Sequence, residues 1–275
     1  MKEKDNTSTR GIVHAEAGRD KFSLSRFEPN LALQPFVEHY WTIRYNLPAG
    51  AIHTQTVLSY PNVNLAFEQD EEGRRGLLYG VPSRPFIRKL CGSGLVLGVK
   101  FRAGGFHPFW QRDISLLTGM TVPATDIFGH SASAWTDTIL DADAEAKMAE
   151  IAEAYLLEHL PEQDPQAQLA AHIVQEIMND RSMVKVEQLS IQCQLSLRQL
   201  QRLFRKYVGV SPKWVIKRFR LQEAAERLER DEQISWADIA AQLGYFDQAH
   251  LIKDFQSVLG QSPGSYRKQA SFGDP

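Results

Sequence analysis

The chain has 275 residues, which is enough for two modest domains or one large one. With 43% hydrophobic and 23% charged residues it lies in the globular range, which argues against a disordered chain or a fibre. Two cysteines rule out a disulfide framework and a Cys-rich zinc site, no apolar run is long enough to span a membrane, and we expect a cytoplasmic protein.

Residues 20–130 predict a β-rich domain. Their apolar runs are short and rich in Val, Ile, Tyr, Phe and Thr, and Gly, Pro and Asn separate them. The runs lie at 36–45, 53–67, 76–81 and 95–101. This pattern favours antiparallel strands in a barrel or a sandwich.

Five aromatic residues of this domain are candidates for lining a pocket. They are Tyr40, Trp41, Phe67, Tyr79 and Phe101. An apolar barrel lined by them would hold a small molecule, whereas the same side chains would equally well fill a closed core. Both interpretations stay open at this point.

Residues 131–165 predict a helical segment and a linker. A helix is expected over 131–140 and another over about 143–160, whose apolar stripe includes Met148, Ile151 and Tyr155. A lone amphipathic helix must bury such a stripe, so we expect it either to form a homodimer or to pack on its own β-domain.

Residues 166–270 predict an all-α domain with an internal repeat. A short helix, a turn and a longer helix occur over 186–207 and again over 235–259, joined by a long helix that begins at Pro212. We expect Phe219, Leu228 and either Ala224 or Ala225 of that joining helix to be buried between the two copies. The repeated pattern is that of a helix-turn-helix unit.

The second helix of each copy has an apolar inner side and a polar outer side. Leu200, Leu203 and Phe204 lie inward in the first copy, and Leu251 and Phe255 in the second. The outward residues are Arg198, Gln201, Arg202 and Arg205 in the first copy, and Gln248, His250 and Lys253 in the second. Such side chains read base edges and hold phosphates in the major groove of DNA.

The charge distribution points to the same partner. Residues 188–222 hold eight Lys and Arg and no acidic residue. A solvated helix face normally mixes both signs, so this window favours a phosphate partner.

The motifs of the two copies can be compared with a known family. The second copy carries Leu243-Gly244-Tyr245, Asp247, His250, Leu251, Phe255, Gly260, Pro263 and Tyr266. The first offers Leu195-Ser196, Arg198, Leu200, Arg202, Phe204, Gly209 and Ser211-Pro212. Over roughly residues 169–269 the chain resembles the AraC/XylS family of bacterial transcription regulators.

The resemblance implies two helix-turn-helix units whose recognition helices enter successive major grooves of double-stranded DNA. It places Arg198, Gln201 and Arg202 in the first groove, and Gln248, Ala249, His250 and Lys253 in the second. It also implies that the N-terminal domain is a sensing or dimerising domain, often a cupin-like barrel. A small-molecule effector, RNA polymerase and a second copy of the chain are further candidate partners.

Two residues depart from the family pattern. Gln194 stands in a turn where the family often has Gly, and a left-handed conformation there would cost about 1 kcal/mol. Ile252 lies near the groove where a polar residue is common, and both a thymine methyl group and the DNA backbone are open as its neighbours.

The alternative function is a DNA-binding domain fused to an enzymatic N-terminal domain, for repair or for metal-dependent cupin chemistry. The eight histidines form none of the closely spaced pairs typical of metal sites. Cys91 and Cys193 lack the histidine and cysteine neighbours of a repair nucleophile in the sequence, and we interpret both as small buried apolar residues. We therefore expect a non-enzymatic regulator with no catalytic residue, metal ligand or cofactor.

Overall fold

The computed structural model describes residues 1, 21–57, 60–82, 86–230, 235–260 and 262–266. It confirms the α+β fold class, with a β-rich N-terminal part and a helical C-terminal part. No helix within the described ranges is long and apolar enough to cross a membrane. The domain boundaries at 130, 165 and 270 remain predictions.

The strands of the described part form two antiparallel sheets. They are β1 (Phe22–Phe27), β2 (Val37–Asn46), β3 (Ile52–Val57), β4 (Asn64–Asp70), β5 (Gly73–Tyr79), β6 (Phe86–Cys91), β7 (Ser93–Phe101) and β8 (Thr121–Pro123). The larger sheet has the order β1-β2-β7-β4-β5-β8, and β3 pairs with β6 in the smaller one.

One face of the large sheet is covered by helices, and we call it the helix-covered face. Tyr40, Phe67 and Leu97 point to this side and are almost fully buried. The hydroxyl of Thr42 on the same side donates to Glu145 of helix α4 at 2.7 Å. The main apolar core of the β-domain therefore lies between the sheet and the helices.

The opposite face of the large sheet, which we call the inner face, is turned towards β3 and β6. Arg88 of β6 reaches Glu68 of β4 at 2.6 Å across this space. The indole of Trp41 lies over Gly98, where an added Cβ would stand 2.0 Å from the ring. The inner face thus combines aromatic and charged side chains.

Helix α1 and a short 3-10 turn at Ile114–Leu117 lie between β7 and β8, and the other helices follow β8 in chain order. The helices are α1 (His107–Trp110), α2 (Thr125–Phe128), α3 (Ser131–Leu140), α4 (Glu145–Glu158), α5 (Pro165–Asn179), α6 (Val186–Gln192), α7 (Leu197–Leu203), α8 (Pro212–Arg230), α9 (Trp236–Gln242) and α10 (Gln248–Leu259). We call α6 and α7 the first unit, and α9 and α10 the second unit. Helix α8 joins them.

The longer helix that the sequence predicts over 196–207 is divided in two. Helix α7 ends at Leu203, and a π-helical turn runs over Phe204–Val208. Gly209 closes this turn with a φ of 91°, and its N–H donates to the carbonyl of Phe204 at 2.7 Å. The wider turn keeps Phe204, Tyr207 and Val208 buried together.

The apolar stripe of α4 is buried within the chain. Met148, Ala149, Ala152 and Leu156 are almost fully covered, and Tyr155 stacks on Trp135 of α3 at 5.0 Å. The helix therefore packs on its own β-domain, which was the second of the two expectations for it. The apolar stripe of α4, on which the expectation of a homodimer was based, is thus covered by residues of the same chain.

The joining helix α8 contacts both units. Ala224 is buried in the core of the second unit, while Phe219 is half-buried against Tyr60 of the β-domain. The side chain of Leu228 lies outside the described residues. Ala224 and Ala225 are buried as expected, but in the core of the second unit and not between the two units, and Phe219 packs towards the β-domain.

Candidate nucleic-acid interface

Helix α7 presents the predicted outward residues on one exposed side. Ser196 begins the helix: its hydroxyl accepts from the N–H of Gln199 at 3.3 Å, and the Gln199 side chain accepts from the N–H of Ser196 at 2.8 Å. Leu200 is fully buried, whereas Arg198, Gln201 and Arg202 are exposed. The reciprocal capping fixes the helix start, which in helix-turn-helix proteins is the end that reaches the bases.

Arg205 continues this exposed side into the π-helical turn. Its side chain is 72% exposed, and its Nε lies 3.5 Å from the carboxylate of Asp113 in the β-domain. An exposed pair of this kind contributes little to stability. It does place an acidic residue of the β-domain beside the first recognition helix.

Helix α10 repeats the arrangement in the second unit. The Asp247 carboxylate accepts from the N–H of His250 at 2.7 Å and so caps the helix. Gln248, Ala249, His250 and Lys253 are exposed, while Leu251 and Phe255 are fully buried. Ile252 is half-buried.

The turns of the two units have the same backbone geometry. Gln194 has a φ of 53° and Gly244 a φ of 65°, and both are left-handed. Just beyond them the N–H of Leu195 donates to Ser190 and that of Tyr245 to Ala240. The two units thus superpose in sequence with an offset of 50 residues, and the strained conformation expected at Gln194 is present.

Three of the eight basic residues in the 188–222 window hold the domain together. The Lys217 ammonium pairs with Asp254 of α10 at 2.5 Å, and the Arg220 guanidinium lies over the Tyr245 ring at 5.4 Å. Arg218 is 1% exposed, and burial lowers its pKa to about 10. These three cations are therefore engaged within the protein. The charge count alone had counted them among the residues that favour a phosphate partner.

Tyr60 connects the β-domain with α8. The Arg218 guanidinium lies 5.3 Å from the centre of the Tyr60 ring, and the Lys100 ammonium lies 4.3 Å from it. The Gln222 side chain donates to the Tyr60 hydroxyl at 3.2 Å. A single side chain of the β-domain thus engages both charged and amide groups of the joining helix.

The first unit also contacts the β-domain at the π-helical turn. The His107 ring lies 4.3 Å from the Tyr207 ring, and the Thr118 hydroxyl donates to the Gly209 carbonyl at 2.7 Å. Burial lowers the pKa of His107, and the nearby Lys206 ammonium lowers it further. The β-domain therefore packs directly on the unit that carries α7.

The structure does not bring the five aromatic pocket candidates together. Successive residues of a strand point to opposite faces, so Tyr40, Phe67 and Phe101 lie in the helix-covered core while Trp41 and Tyr79 lie on the inner face. Burial raises the pKa of Tyr40, with the Glu153 carboxylate of α4 nearby. The sheet register therefore does not place all five along one pocket, and Tyr40, Phe67 and Phe101 fill the core, which was the other interpretation left open.

The inner face instead carries a network of paired charges. The Glu68 carboxylate accepts from the Tyr79 hydroxyl and from Arg88, each at 2.6 Å, and lies 3.1 Å from Arg75. Arg75 also donates to Asp70, which lowers the pKa of that carboxyl group. The inner face is polar at this end, and sequence reasoning missed the network because its members are spread over three strands.

The remaining predicted chemistry can be placed as follows. Cys193 is half-buried, and burial raises its thiol pKa, but Cys91 is exposed because its position in β6 faces away from the large sheet. The expectation that both are buried is therefore wrong for Cys91. Within the described ranges no three His, Cys, Asp or Glu side chains lie close enough to hold a metal ion.

Two family models match the chain in separate segments. Residues 25–123 match a domain of unknown function (DUF6597). Residues 189–269 match the helix-turn-helix domain model, which covers both units and α8.

Curated relatives match mainly over the helical part. An uncharacterized HTH-type transcriptional regulator of Haemophilus influenzae is 35% identical over 36% of this chain and 32% of its own length. The Msm operon regulatory protein of Streptococcus mutans is 27% identical over 44% of each chain. The HTH-type transcriptional activator RhaS of Pectobacterium atrosepticum is 35% identical over 30% of this chain and 29% of its own. The chain thus spans less than half of the length of each of these relatives.

Two solved structures can be aligned at low scores. ToxT from Vibrio cholerae aligns with a TM-score of 0.39 and 11% identity over 84% of this chain and 98% of that one. The DNA-binding domain of AdpA, in complex with a target DNA, aligns with a TM-score of 0.30 and 27% identity over 38% of this chain and 92% of that one.

Proposed function

From the premise that the helical part of this chain is an AraC-type helix-turn-helix domain, we propose that the protein is a sequence-specific DNA-binding transcription regulator. One observation carries the proposal. Two capped helices, α7 and α10, stand in a structural repeat and each presents polar side chains on its exposed side. Such a pair suits two successive major grooves on one side of B-DNA.

The first recognition helix is the better equipped of the two for reading bases. Arg198 and Arg202 lie one turn apart on the exposed side of α7, with Gln201 between them. Arg makes paired hydrogen bonds to guanine and Gln makes them to adenine. We assign these three residues to base edges and Arg205, further along the helix, to a phosphate.

The second recognition helix offers fewer strong donors. Gln248 and His250 lie beside Ala249 at its start, and Lys253 follows one turn later. We assign Gln248 and His250 to base edges and Lys253 to a phosphate. The affinity of the second unit for DNA then depends more on how the first unit and α8 place α10 in the groove than on the number of its charged contacts.

The β-domain is assigned a sensing role and no enzymatic one. The matched relatives are transcription regulators, and the inner face carries the largely buried guanidinium groups of Arg75 and Arg88, both paired with Glu68. A polar small molecule fits such a face better than an apolar one, because the paired groups present hydrogen-bond donors and acceptors together. Its binding would reach DNA and RNA polymerase through the contacts of Tyr60 with α8.

The test is a selection of DNA sequences by the full-length protein, followed by measurement of affinity by fluorescence anisotropy. We expect one preferred sequence with two half-sites about one helical turn apart. Arg202→Ala should lose roughly 1–3 kcal/mol of binding free energy and relax the preference at one base pair. Arg44→Ala, which removes a half-exposed arginine of β2, serves as the matched control.

The outcome that contradicts the proposal is equally plain. A wild-type protein that enriches no sequence, or an Arg202→Ala variant with unchanged affinity and preference, would remove DNA reading by α7. Circular dichroism of each variant shows whether the fold is kept.

A further inference from the structure

An aromatic side chain stands at the start of the second recognition helix without a place in the core. Phe246 is 95% exposed. It follows Tyr245, which is half-buried on the core of the second unit, and it precedes the capping residue Asp247. Full exposure of a phenyl ring leaves a large apolar surface in water.

The internal repeat shows that the fold of the unit does not require this ring. With the offset of 50 residues, Phe246 corresponds to Ser196, whose hydroxyl caps α7. In the second unit Asp247 provides the cap instead, and α10 begins one residue later. Phe246 therefore occupies a position where a small polar residue supports the same turn in the first unit.

The surroundings of the ring define the kind of partner that it can meet. It precedes Gln248 and Ala249 in the sequence by two and three residues, and both are exposed at the first turn of α10. This end of a recognition helix is the one directed into the major groove. Among the groups displayed there, the C5-methyl of thymine is the apolar one.

We propose that Phe246 packs against a thymine methyl group in the half-site read by the second unit. The inference rests on the proposed function and makes it more specific: it assigns the second unit a thymine that is recognised by apolar contact and not by hydrogen bonds. Such a contact adds sequence preference to a helix that carries few strong donors.

The experiment compares thymine with deoxyuridine, which differs only by the missing methyl group. Each thymine of the second half-site in the selected DNA is replaced singly, and affinities are measured for the wild type and for Phe246→Ser. For the wild type we expect one replacement to weaken binding about fourfold, which corresponds to the burial of one methyl-sized group at about 0.8 kcal/mol. Phe246→Ser should bind the thymine DNA at least about fourfold more weakly and should no longer distinguish thymine from deoxyuridine.

Two controls separate this reading from others. Leu31→Ser removes another large exposed apolar side chain, 81% exposed in the β-domain, and should leave affinity unchanged. Since Phe246 is at the surface, Phe246→Ser should keep the thermal unfolding midpoint of the wild type.

The results that overturn the inference differ from those that overturn the function. A wild type that binds its preferred sequence but tolerates every deoxyuridine, or a Phe246→Ser variant that still discriminates, defeats the thymine contact and leaves the proposed function standing. A sedimentation shift from dimer to monomer in Phe246→Ser, without a change in discrimination, would assign the ring to self-association and defeat the contact as well. A wild type with no preferred sequence removes both.

Discussion

The two helix-turn-helix units share a backbone design but are anchored differently. The buried residues of the first unit, such as Leu189, Leu200 and Phe204, belong to one continuous core with the β-domain. The second unit has a separate core around Ile239, Leu251 and Phe255, with Leu221 and Ala224 from α8. The same local pattern is thus embedded in a large structure in one case and in a small one in the other.

This difference bears on how a signal could reach DNA. The π-helical turn that follows the first recognition helix is tied to the β-domain through Arg205, Tyr207 and Gly209. The second recognition helix meets the rest of the chain through α8, where Lys217 pairs with Asp254 and Arg220 lies over Tyr245. Small cores open more readily than large ones, so we expect the second unit to move or unfold on its own while the first follows the β-domain.

The largest effect that tests this comparison comes from matched phenylalanines. Phe204 and Phe255 are both 0% exposed, one in each core. Replacing either by Ala should cost about 3–5 kcal/mol at its own site. Phe204→Ala should lower the free energy of unfolding of the β-domain and the first unit together, whereas Phe255→Ala should affect only the second unit.

Hydrogen exchange followed by peptide mass analysis distinguishes these outcomes. Amides of β4 and β7 should exchange faster in Phe204→Ala and at the wild-type rate in Phe255→Ala. Loss of protection in those strands in both variants would mean that the two cores unfold as one, and the comparison would be wrong.

A middle-sized effect is expected where the β-domain meets the joining helix. Tyr60→Leu removes the ring that faces the buried Arg218 guanidinium, and a desolvated contact of this kind contributes about 2 kcal/mol. Tyr60→Phe keeps the ring and removes only the hydrogen bond from Gln222, for about 1 kcal/mol. Urea denaturation of both variants gives the two values. Equal losses would assign the effect to the hydroxyl group and not to the ring.

The fold could be predicted in outline because its signals are local. The periodicity of 3.6 residues placed the helices of both units, and the inward and outward sides of α7 and α10 lie as predicted. The π-helical turn after Leu203 was not predictable, since it depends on how Tyr207 meets His107 of the β-domain. Tertiary contact decided that detail, and local propensity did not.

The sites were less predictable because they depend on which face a side chain takes. Tyr40 and Trp41 are neighbours in sequence yet point to opposite sides of β2. Arg218 contributes to a basic window but is buried against Tyr60. Composition counts such residues together, and only the sheet register and the path of α8 separate them.

The smallest effect compares the two turns directly. Gln194 and Gly244 adopt the same left-handed conformation, which an L-residue with a side chain holds at a cost of about 1 kcal/mol or more. Gln194→Gly should therefore stabilise the chain by up to about 1 kcal/mol. The greater conformational entropy that Gly gives the unfolded chain reduces this gain. Gly244→Ala should destabilise the chain by a similar amount, because a Cβ there also approaches the Arg220 guanidinium to 3.2 Å.

The two effects should appear in different measurements. The stability gained in Gln194→Gly should appear in global unfolding by urea, since the first unit shares the main core. The stability lost in Gly244→Ala should appear only as faster hydrogen exchange in α9 and α10. If Gly244→Ala lowers the global free energy of unfolding by the full amount, the second unit is not an independent part of the molecule.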